Sequence, residues 1–175
     1  MIELALVLAI AFSGQFDASD AGIGGRFGVQ ATDLVGLEAE LSHYPSHFAD
    51  QPVFSRSRVE GLFGVTLGPR LGRVRPFGRV RPGFLRVQPA PEPIICLAIF
   101  PPPLACELAA GRTLAALDLG GGIDVSVGER TFVRVDAGDR LVKYPGPVFD
   151  SDRNIRDEAF FGHDFRVAVA GGLRF

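Results

Sequence analysis

The sequence contains no tryptophan, one methionine, one lysine and two tyrosines among its 175 residues. It also has no run of about 18 apolar residues, so it encodes no transmembrane helix, although 47% of its residues are hydrophobic. Arginines spread singly along the chain provide nearly all the positive charge, and the formal net charge of −2 argues against nucleic-acid binding. The 22 glycines, 13 prolines and 15 phenylalanines favour β structure.

The hydrophobic pattern has a period of two through most of the chain, which predicts strands rather than helices. In residues 35–43, for example, apolar residues at every second position alternate with glycine, glutamate or serine. The first segment alternates large and small residues, so we interpret it as a strand and not as the apolar core of a signal peptide. The predicted strands cover about residues 4–12, 22–31, 35–43, 58–68, 73–87, 113–127, 131–143 and 163–175. Because Pro76 and Pro82 each lack a ladder donor, we expect the fifth strand to be locally irregular.

The lengths of the predicted connections alternate. Those after the second, fourth and sixth strands are short, whereas those at 13–21, 44–57, 88–111 and 144–159 are longer. Bacterial outer-membrane barrels show this alternation, with short periplasmic turns and long external loops. The sequence therefore predicts one all-β domain, residues 1–175, folded as an eight-stranded antiparallel up-and-down transmembrane β-barrel.

The charged face of these strands is also rich in glycine and alanine, which suits a narrow interior where long charged side chains need room. Buried charges must pair, and the planar guanidinium of arginine suits bidentate pairing with carboxylates. We therefore predict an ionic network in the lumen, on the same face as Arg26. Its expected members are Glu38, Glu40, Glu60, Arg79, Arg81, Asp118, Arg134, Asp136 and Arg166. The alternative is a soluble, lipocalin-like ligand-binding barrel, in which the apolar residues would point inward.

Two cysteines, Cys96 and Cys106, flank the segment LAIFPPPLA. Their even number and close spacing in a predicted loop suggest a disulfide and an oxidising compartment, and the alternative is two free thiols. No second pair of ligands lies nearby in the sequence, so a zinc site is not expected.

The C-terminal segment VAVAGGLRF alternates and ends at a phenylalanine, like the last strand of outer-membrane barrels. Together with GIGGRFGV, GLEAELSHYP, GPRLGRVRPFGRVRPGF and FVRVDAGDRLVKYPG, it resembles the OmpA-type outer-membrane β-barrel domain family over essentially the whole chain. The resemblance implies a place in the outer membrane of a Gram-negative bacterium, contact with its lipid, and recognition by the barrel-assembly machinery. The expected assembly signal is Phe165, Val167, Val169, Leu173 and Phe175. The aromatic girdles are thin, since Tyr44 and Tyr144, at the external ends of their strands, are the only tyrosines.

We expect a monomeric structural or surface-interaction protein with a side-chain-filled lumen, no cofactor and no enzymatic activity. A small ion or solute pore is the first alternative, and charge pairing in the lumen makes it the less favoured one. A lipid-modifying enzyme is less favoured still. Ser42 and His43 are sequence neighbours, so their side chains point to opposite faces and cannot pair. For His163 and Asp164, at the start of the last strand, a structural role is expected as well.

Overall fold

The computed structural model describes residues 1–16, 18–45, 57–89, 100–150 and 154–175. Its long strands are β1 (Ile2–Ser13), β2 (Ala18–Gln30), β3 (Val35–Tyr44), β4 (Arg58–Leu67), β5 (Val74–Val87), β6 (Arg112–Ser126), β7 (Thr131–Tyr144) and β10 (Phe160–Arg174). These eight strands pair in antiparallel fashion and close into a barrel in which each strand lies beside its neighbours along the chain. The predicted eight-stranded antiparallel fold is therefore confirmed.

The barrel closes between its first and last strands. The backbone N–H of Ile2 donates to the carbonyl of Phe175 at 3.0 Å, and the N–H of Phe175 donates to the carbonyl of Ile2 at 2.9 Å. If one starts at Ile2 and moves from each residue to its partner on the next strand, the path around the barrel returns to β1 at Phe12. The stagger of the barrel is therefore ten residues. With about 3.3 Å per residue and about 4.8 Å between strands, this stagger corresponds to a strand tilt of about 40°. A barrel of this size is filled by its own side chains.

Burial alternates along the strands, and the apolar side chains face outward. In β1, Leu4, Leu6 and Leu8 are 50%, 59% and 58% exposed, whereas Val7 and Ala9 are buried. Large exposed apolar residues occur on all eight barrel strands, while the buried positions hold most of the charged residues. The lipocalin-like alternative is therefore wrong, because it requires the opposite sidedness.

The connection between β1 and β2 is shorter than predicted. Strand β2 begins at Ala18, so only residues 14–17 separate the two strands, and the predicted long connection at 13–21 is wrong. The reason lies in Asp20, whose polar side chain suggested a loop. In the structure Asp20 points inward and pairs with Arg58, so the strand continues through it.

Two of the long connections contain secondary structure that the sequence analysis missed. A six-residue helix, α1 (Leu104–Ala109), lies within 88–111, and the two-residue strands β8 (Val148–Phe149) and β9 (Ile155–Arg156) lie within 144–159. Helix α1 forms where Leu104 and Leu108, one turn apart, are both buried. No helix among the described residues is long and apolar enough to cross a membrane.

Of the two prolines of β5, only Pro82 lies at a gap in the pairing, and the gap is on one side of the strand. The ladder between β5 and β6 is continuous, but the ladder between β4 and β5 lacks the pairs at Phe63 and Gly64, opposite Pro82 and Arg81. The register is the same on both sides of this gap, so the irregularity is local.

Gly22 and Gly25 lie on opposite faces of β2, and this difference yields a packing test. A Cβ at Gly22 would lie 2.6 Å from Cδ1 of Tyr44, whereas a Cβ at Gly25 would meet nothing within 4 Å. We expect Gly22→Ala to lower the free energy of unfolding by about 1–3 kcal/mol, because the Tyr44 ring must move. Gly25→Ala should change it by less than about 0.5 kcal/mol. Urea unfolding of the lipid-reconstituted protein measures both, and equal effects would contradict the close packing of Tyr44.

Candidate functional site

The barrel interior carries balanced charge. Among the described residues, nine acidic residues and nine arginines point inward, whereas the only lysine, Lys143, is exposed. The acidic residues are Glu3, Asp20, Glu38, Glu40, Glu60, Asp118, Asp124, Asp136 and Asp164. The arginines are Arg26, Arg58, Arg75, Arg79, Arg81, Arg134, Arg140, Arg166 and Arg174. Uncompensated charge in such an interior would cost several kcal/mol, so this balance is a condition for folding.

Glu40 is the centre of the network. Its carboxylate accepts from Nε of Arg26 at 2.8 Å and from Nη1 of Arg81 at 2.8 Å, and it also pairs with Arg166. The hydroxyl of Ser42 donates to the same carboxylate at 3.0 Å. Glu40 therefore joins side chains from β2, β5 and β10 at one point in the lumen.

Asp118 and Asp136 link the remaining central arginines. Asp118 accepts from Nε of Arg79 at 2.7 Å and from Nε of Arg81 at 2.9 Å. Asp136 accepts from Nη1 of Arg26 at 2.9 Å and also pairs with Arg79. Arg26 and Arg79 thus each contact two carboxylates and Arg81 contacts three, which distributes the positive charge across the lumen.

The network continues towards the end of the barrel that holds both termini and the short turns, hereafter the turn end. Glu38 accepts from Arg134 at 2.8 Å, and Arg134 also donates to Asp124 at 2.7 Å. Arg174 donates to Glu3 at 2.8 Å, which closes the network at the turn end.

At the opposite end, hereafter the loop end, Arg140 is the main link. It pairs with Glu60 and donates to Asp164 at 2.6 Å. Glu60 also lies 3.5 Å from Nε of Arg166, which connects this group to Glu40. Ion pairs therefore run without interruption from Glu3 at the turn end to Asp164 near the loop end.

The inward faces of β1 and β10 supply the space that these long side chains occupy. They carry small residues, including Ala9, Ala11, Ala168 and Ala170, which are all buried. Large charged residues, including Arg166 of β10 itself, point into this volume, and a barrel of this size is filled by its side chains.

An apolar cap closes the loop end above the ion pairs. Its buried members are Leu85, Val87, Leu104, Leu108, Leu114, Val142, Tyr144 and Val148, contributed by β5, β6, β7, β8 and α1. The rings of Phe16 and Phe160 pack against the ring of Tyr144, with centroids 6.1 and 5.6 Å apart. Within the described residues, ion pairs thus occupy the lumen and apolar packing lies above them.

All nine residues predicted for the ionic network point inward, and ion pairs join them. Sequence reasoning left out several further members of the network. Asp124, Arg140 and Arg174 have the same parity in their strands as the predicted residues, so the period of two could have found them. Asp20 was missed because the sequence suggested a loop there.

The two tyrosines do not contribute to an outward aromatic girdle. Tyr44 and Tyr144 are 1% and 2% exposed and point into the lumen, where the Tyr44 hydroxyl accepts from Nε of Arg166 at 3.1 Å. Tyr44 is an even number of residues from Glu40, so strand parity places both on the same face. On the barrel strands as described, Phe12, Phe84, Phe161 and Phe165 are exposed and face outward near the loop end.

The residues considered for lipid chemistry are separated by the barrel wall. Ser42 and Asp164 point inward and bind Glu40 and Arg140. His163 is exposed, and its Nδ1 lies 2.7 Å from Oδ2 of Asp139, while Nε2 of His43, also on the outside, lies 3.5 Å from Oγ of Ser57. The structure therefore does not bring Ser42 and His43, or His163 and Asp164, together.

The proposed disulfide and the proposed assembly signal remain predictions. Of the proposed disulfide, Cys106 lies in α1 and Cys96 lies outside the described residues. The residues of the proposed assembly signal lie on one face of the last strand or directly after it. Phe165, Val169, Leu173 and Phe175 are exposed, and Val167 is half-buried.

An eight-stranded antiparallel barrel with an apolar outside and a charge-filled inside has the architecture of small outer-membrane barrels. Among solved structures, the chain is similar to Neisserial surface protein A (NspA), with a TM-score of 0.62 and 13% identity, over 99% of this chain and 96% of that chain. It is also similar to Ail, the attachment invasion locus protein of Yersinia pestis, with a TM-score of 0.48, 14% identity and the same coverage. No protein-family model and no curated protein sequence matches the chain. The similarity to NspA shows the fold, which agrees with the fold implied by the resemblance to the OmpA-type family.

The position of Glu40 allows a test of the network. Glu40→Ala leaves Arg26, Arg81 and Arg166 without a shared partner, so we expect the free energy of unfolding to fall by about 3–5 kcal/mol. The control Glu129→Ala removes an exposed carboxylate from a short turn and should cost less than about 1 kcal/mol. Heat-modifiable gel mobility and thermal unfolding measure both variants, and equal melting of Glu40→Ala and wild type would contradict a network that stabilises the barrel.

Proposed function

We propose that the protein is a non-conducting barrel of a Gram-negative outer membrane, whose filled body holds the loop end at the cell surface for interaction with other molecules. The observation that supports this proposal is an unbroken series of ion pairs in the lumen beneath an apolar cap. A barrel without an open passage acts as an anchor, because its lumen offers no room for other molecules. Partner molecules would then contact the loops and the outer wall.

The outward-facing side chains support the membrane location. Between Ile2 and Phe12, β1 presents a large apolar residue at every second position. At a tilt of about 40°, ten residues rise about 25 Å along the barrel axis, the height of the apolar band of outer-membrane barrels. A continuous apolar surface of this size would cause aggregation in water, whereas hydrocarbon solvates it.

Two leucines test this location directly. Leu6 faces outward near the middle of the apolar band and is 59% exposed, whereas Leu71, 64% exposed, lies in the turn between β4 and β5. In lipid bilayers, Leu6→Arg should lower the free energy of unfolding by about 2–4 kcal/mol, because the charge enters hydrocarbon, and Leu71→Arg should lower it by no more than about 1 kcal/mol. Denaturant titration in vesicles gives both values, and the membrane location is wrong if Leu6→Arg is as stable as Leu71→Arg.

The loop end has features of an interaction surface. Phe100 is 83% exposed and Ile155 is 56% exposed, and both lie in connections that emerge at this end. Exposed apolar side chains outside the apolar band are available to partner molecules. The solved relative NspA is named a surface protein, which is consistent with this role.

The remaining parts of the proposal come from the sequence. We infer that the chain is a monomer, that the barrel-assembly machinery recognises the outward residues of β10, and that Cys96 and Cys106 form a disulfide. The proposal includes no enzymatic activity, since the inward side chains of Ser42 and Asp164 are engaged by Glu40 and Arg140.

A small ion or solute pore is the second candidate, and conductance separates the two. We expect the folded protein to give no steady single-channel openings in planar bilayers, because the ion pairs and the cap fill the lumen. Heat-modifiable mobility of the same sample controls for folding. Reproducible openings of uniform size from folded protein would contradict the sealed barrel and favour the pore.

A further inference from the structure

Three polar side chains break the apolar pattern of the outer wall on adjacent strands. Arg86 of β5, Thr113 of β6 and Lys143 of β7 are exposed and lie near the loop end. Arg86 and Thr113 are directly paired across β5 and β6. Lys143 follows Val142, whose partner on β6 is Ala116, three residues from Thr113. We name these three residues the outward cationic patch.

The neighbours of these residues in their own strands fix their direction. Leu85 and Val87, on either side of Arg86, are buried in the cap, and so are Val142 and Tyr144, on either side of Lys143. Because strand side chains alternate between faces, Arg86 and Lys143 must point away from the lumen. The two cations therefore belong to the outer wall and not to the lumen network.

The patch lies just beyond the apolar band. Phe84, two residues before Arg86, faces outward and is exposed, and Leu141, two residues before Lys143, lies on the same side of β7. Cationic side chains at such a boundary keep their aliphatic stems against hydrocarbon and their charges at the level of the lipid headgroups. The patch is thus at headgroup depth on the loop-end side of the membrane.

The cations of the patch have no carboxylate partner among the described residues. Neither Arg86 nor Lys143 forms an ion pair there, whereas Asp139 pairs with His163 at 2.7 Å and Glu107 pairs with Arg112 at 3.0 Å. A cavity of about 330 Å³ opens beside Lys143, and Arg112, Thr113, Ala115 and Tyr144 also line it. The patch therefore combines two unpaired positive charges, a hydroxyl and an adjacent recess.

We propose that the outward cationic patch binds the phosphate group of an anionic lipid in the outer leaflet, an inference that rests on the proposed membrane location. A guanidinium and an ammonium on neighbouring strands complement a phosphate, which accepts from both, and the Thr113 hydroxyl adds a further donor. A lipid brings its phosphate to this depth with its acyl chains beside the apolar band, where Phe84 and Leu141 lie.

The experiment compares lipid retention by the full chain after reconstitution in vesicles of phosphatidylcholine mixed with phosphatidylglycerol. After mild extraction, native mass spectrometry counts the bound lipids of each kind. We expect wild type to retain phosphatidylglycerol in preference to phosphatidylcholine, and Arg86→Gln/Lys143→Gln to lose this preference by on the order of tenfold, since each cation near a membrane surface attracts anionic lipid. The matched control Arg86→Lys/Lys143→Arg keeps both charges and should keep the preference.

The other outcomes distinguish lipid phosphate from inorganic phosphate. They also separate a failure of the patch inference from a failure of the proposed membrane location. Excess inorganic phosphate should leave the bound lipid in place, and displacement of the lipid would overturn the assignment to a lipid headgroup. If the Gln variant inserts normally but retains as much phosphatidylglycerol as wild type, the patch inference is wrong and the membrane location stands. If wild type fails to insert into these mixed vesicles, the proposed membrane location itself is wrong.

Discussion

The pairing of arginines with carboxylates inside the barrel is the constraint on which the rest of the structure depends. Arg26 of β2 and Asp136 of β7 lie 2.9 Å apart although β1 and β10 separate their strands around the wall, so this contact exists only when the barrel is closed. A buried ion pair adds little net stability once desolvation is counted, but an unpaired buried charge is strongly destabilising. We therefore interpret the network chiefly as a requirement for complete closure, because a partly open barrel would leave charges unpaired.

The small residues of β1 and β10 are the counterpart of this network. Ala9 and Ala168 are cross-strand partners that both point inward, and neither reaches the barrel axis. The guanidinium of Arg26 and those of other long side chains occupy the space that such pairs leave free. The alternation of large and small residues in β1 thus has two causes, since leucines cover the outside while alanines leave volume inside.

Strand parity explains how much of this structure could be predicted from the sequence. A period of two assigns each residue to a face without knowledge of its partners, so the strands, their sidedness and the nine expected lumen residues follow from it. The individual ion pairs do not, because contacts such as that of Arg134 with Glu38 join strands that are not neighbours. Helix α1 was missed for a similar reason, since the burial of Leu104 depends on the distant Val148. Strand parity with Glu40 also assigns Tyr44 to the lumen. The sequence analysis instead discussed Tyr44 as part of an outward aromatic girdle, and the structure contradicts this.

In such a barrel, the positions that depart from the alternation of outward apolar and inward charged residues are the ones that indicate function. The fold alone does not determine function, because many small barrels share it. A sealed body whose outward residues were all apolar would be a passive anchor. Arg86 and Lys143 depart from that pattern on adjacent sides of β6, and the charge network of the lumen does not account for them, because their side chains point the other way. Local violations of an otherwise consistent pattern are expected at functional sites. The outer wall near the loop end is therefore a part of the described barrel where exposed charges have no role in the lumen network.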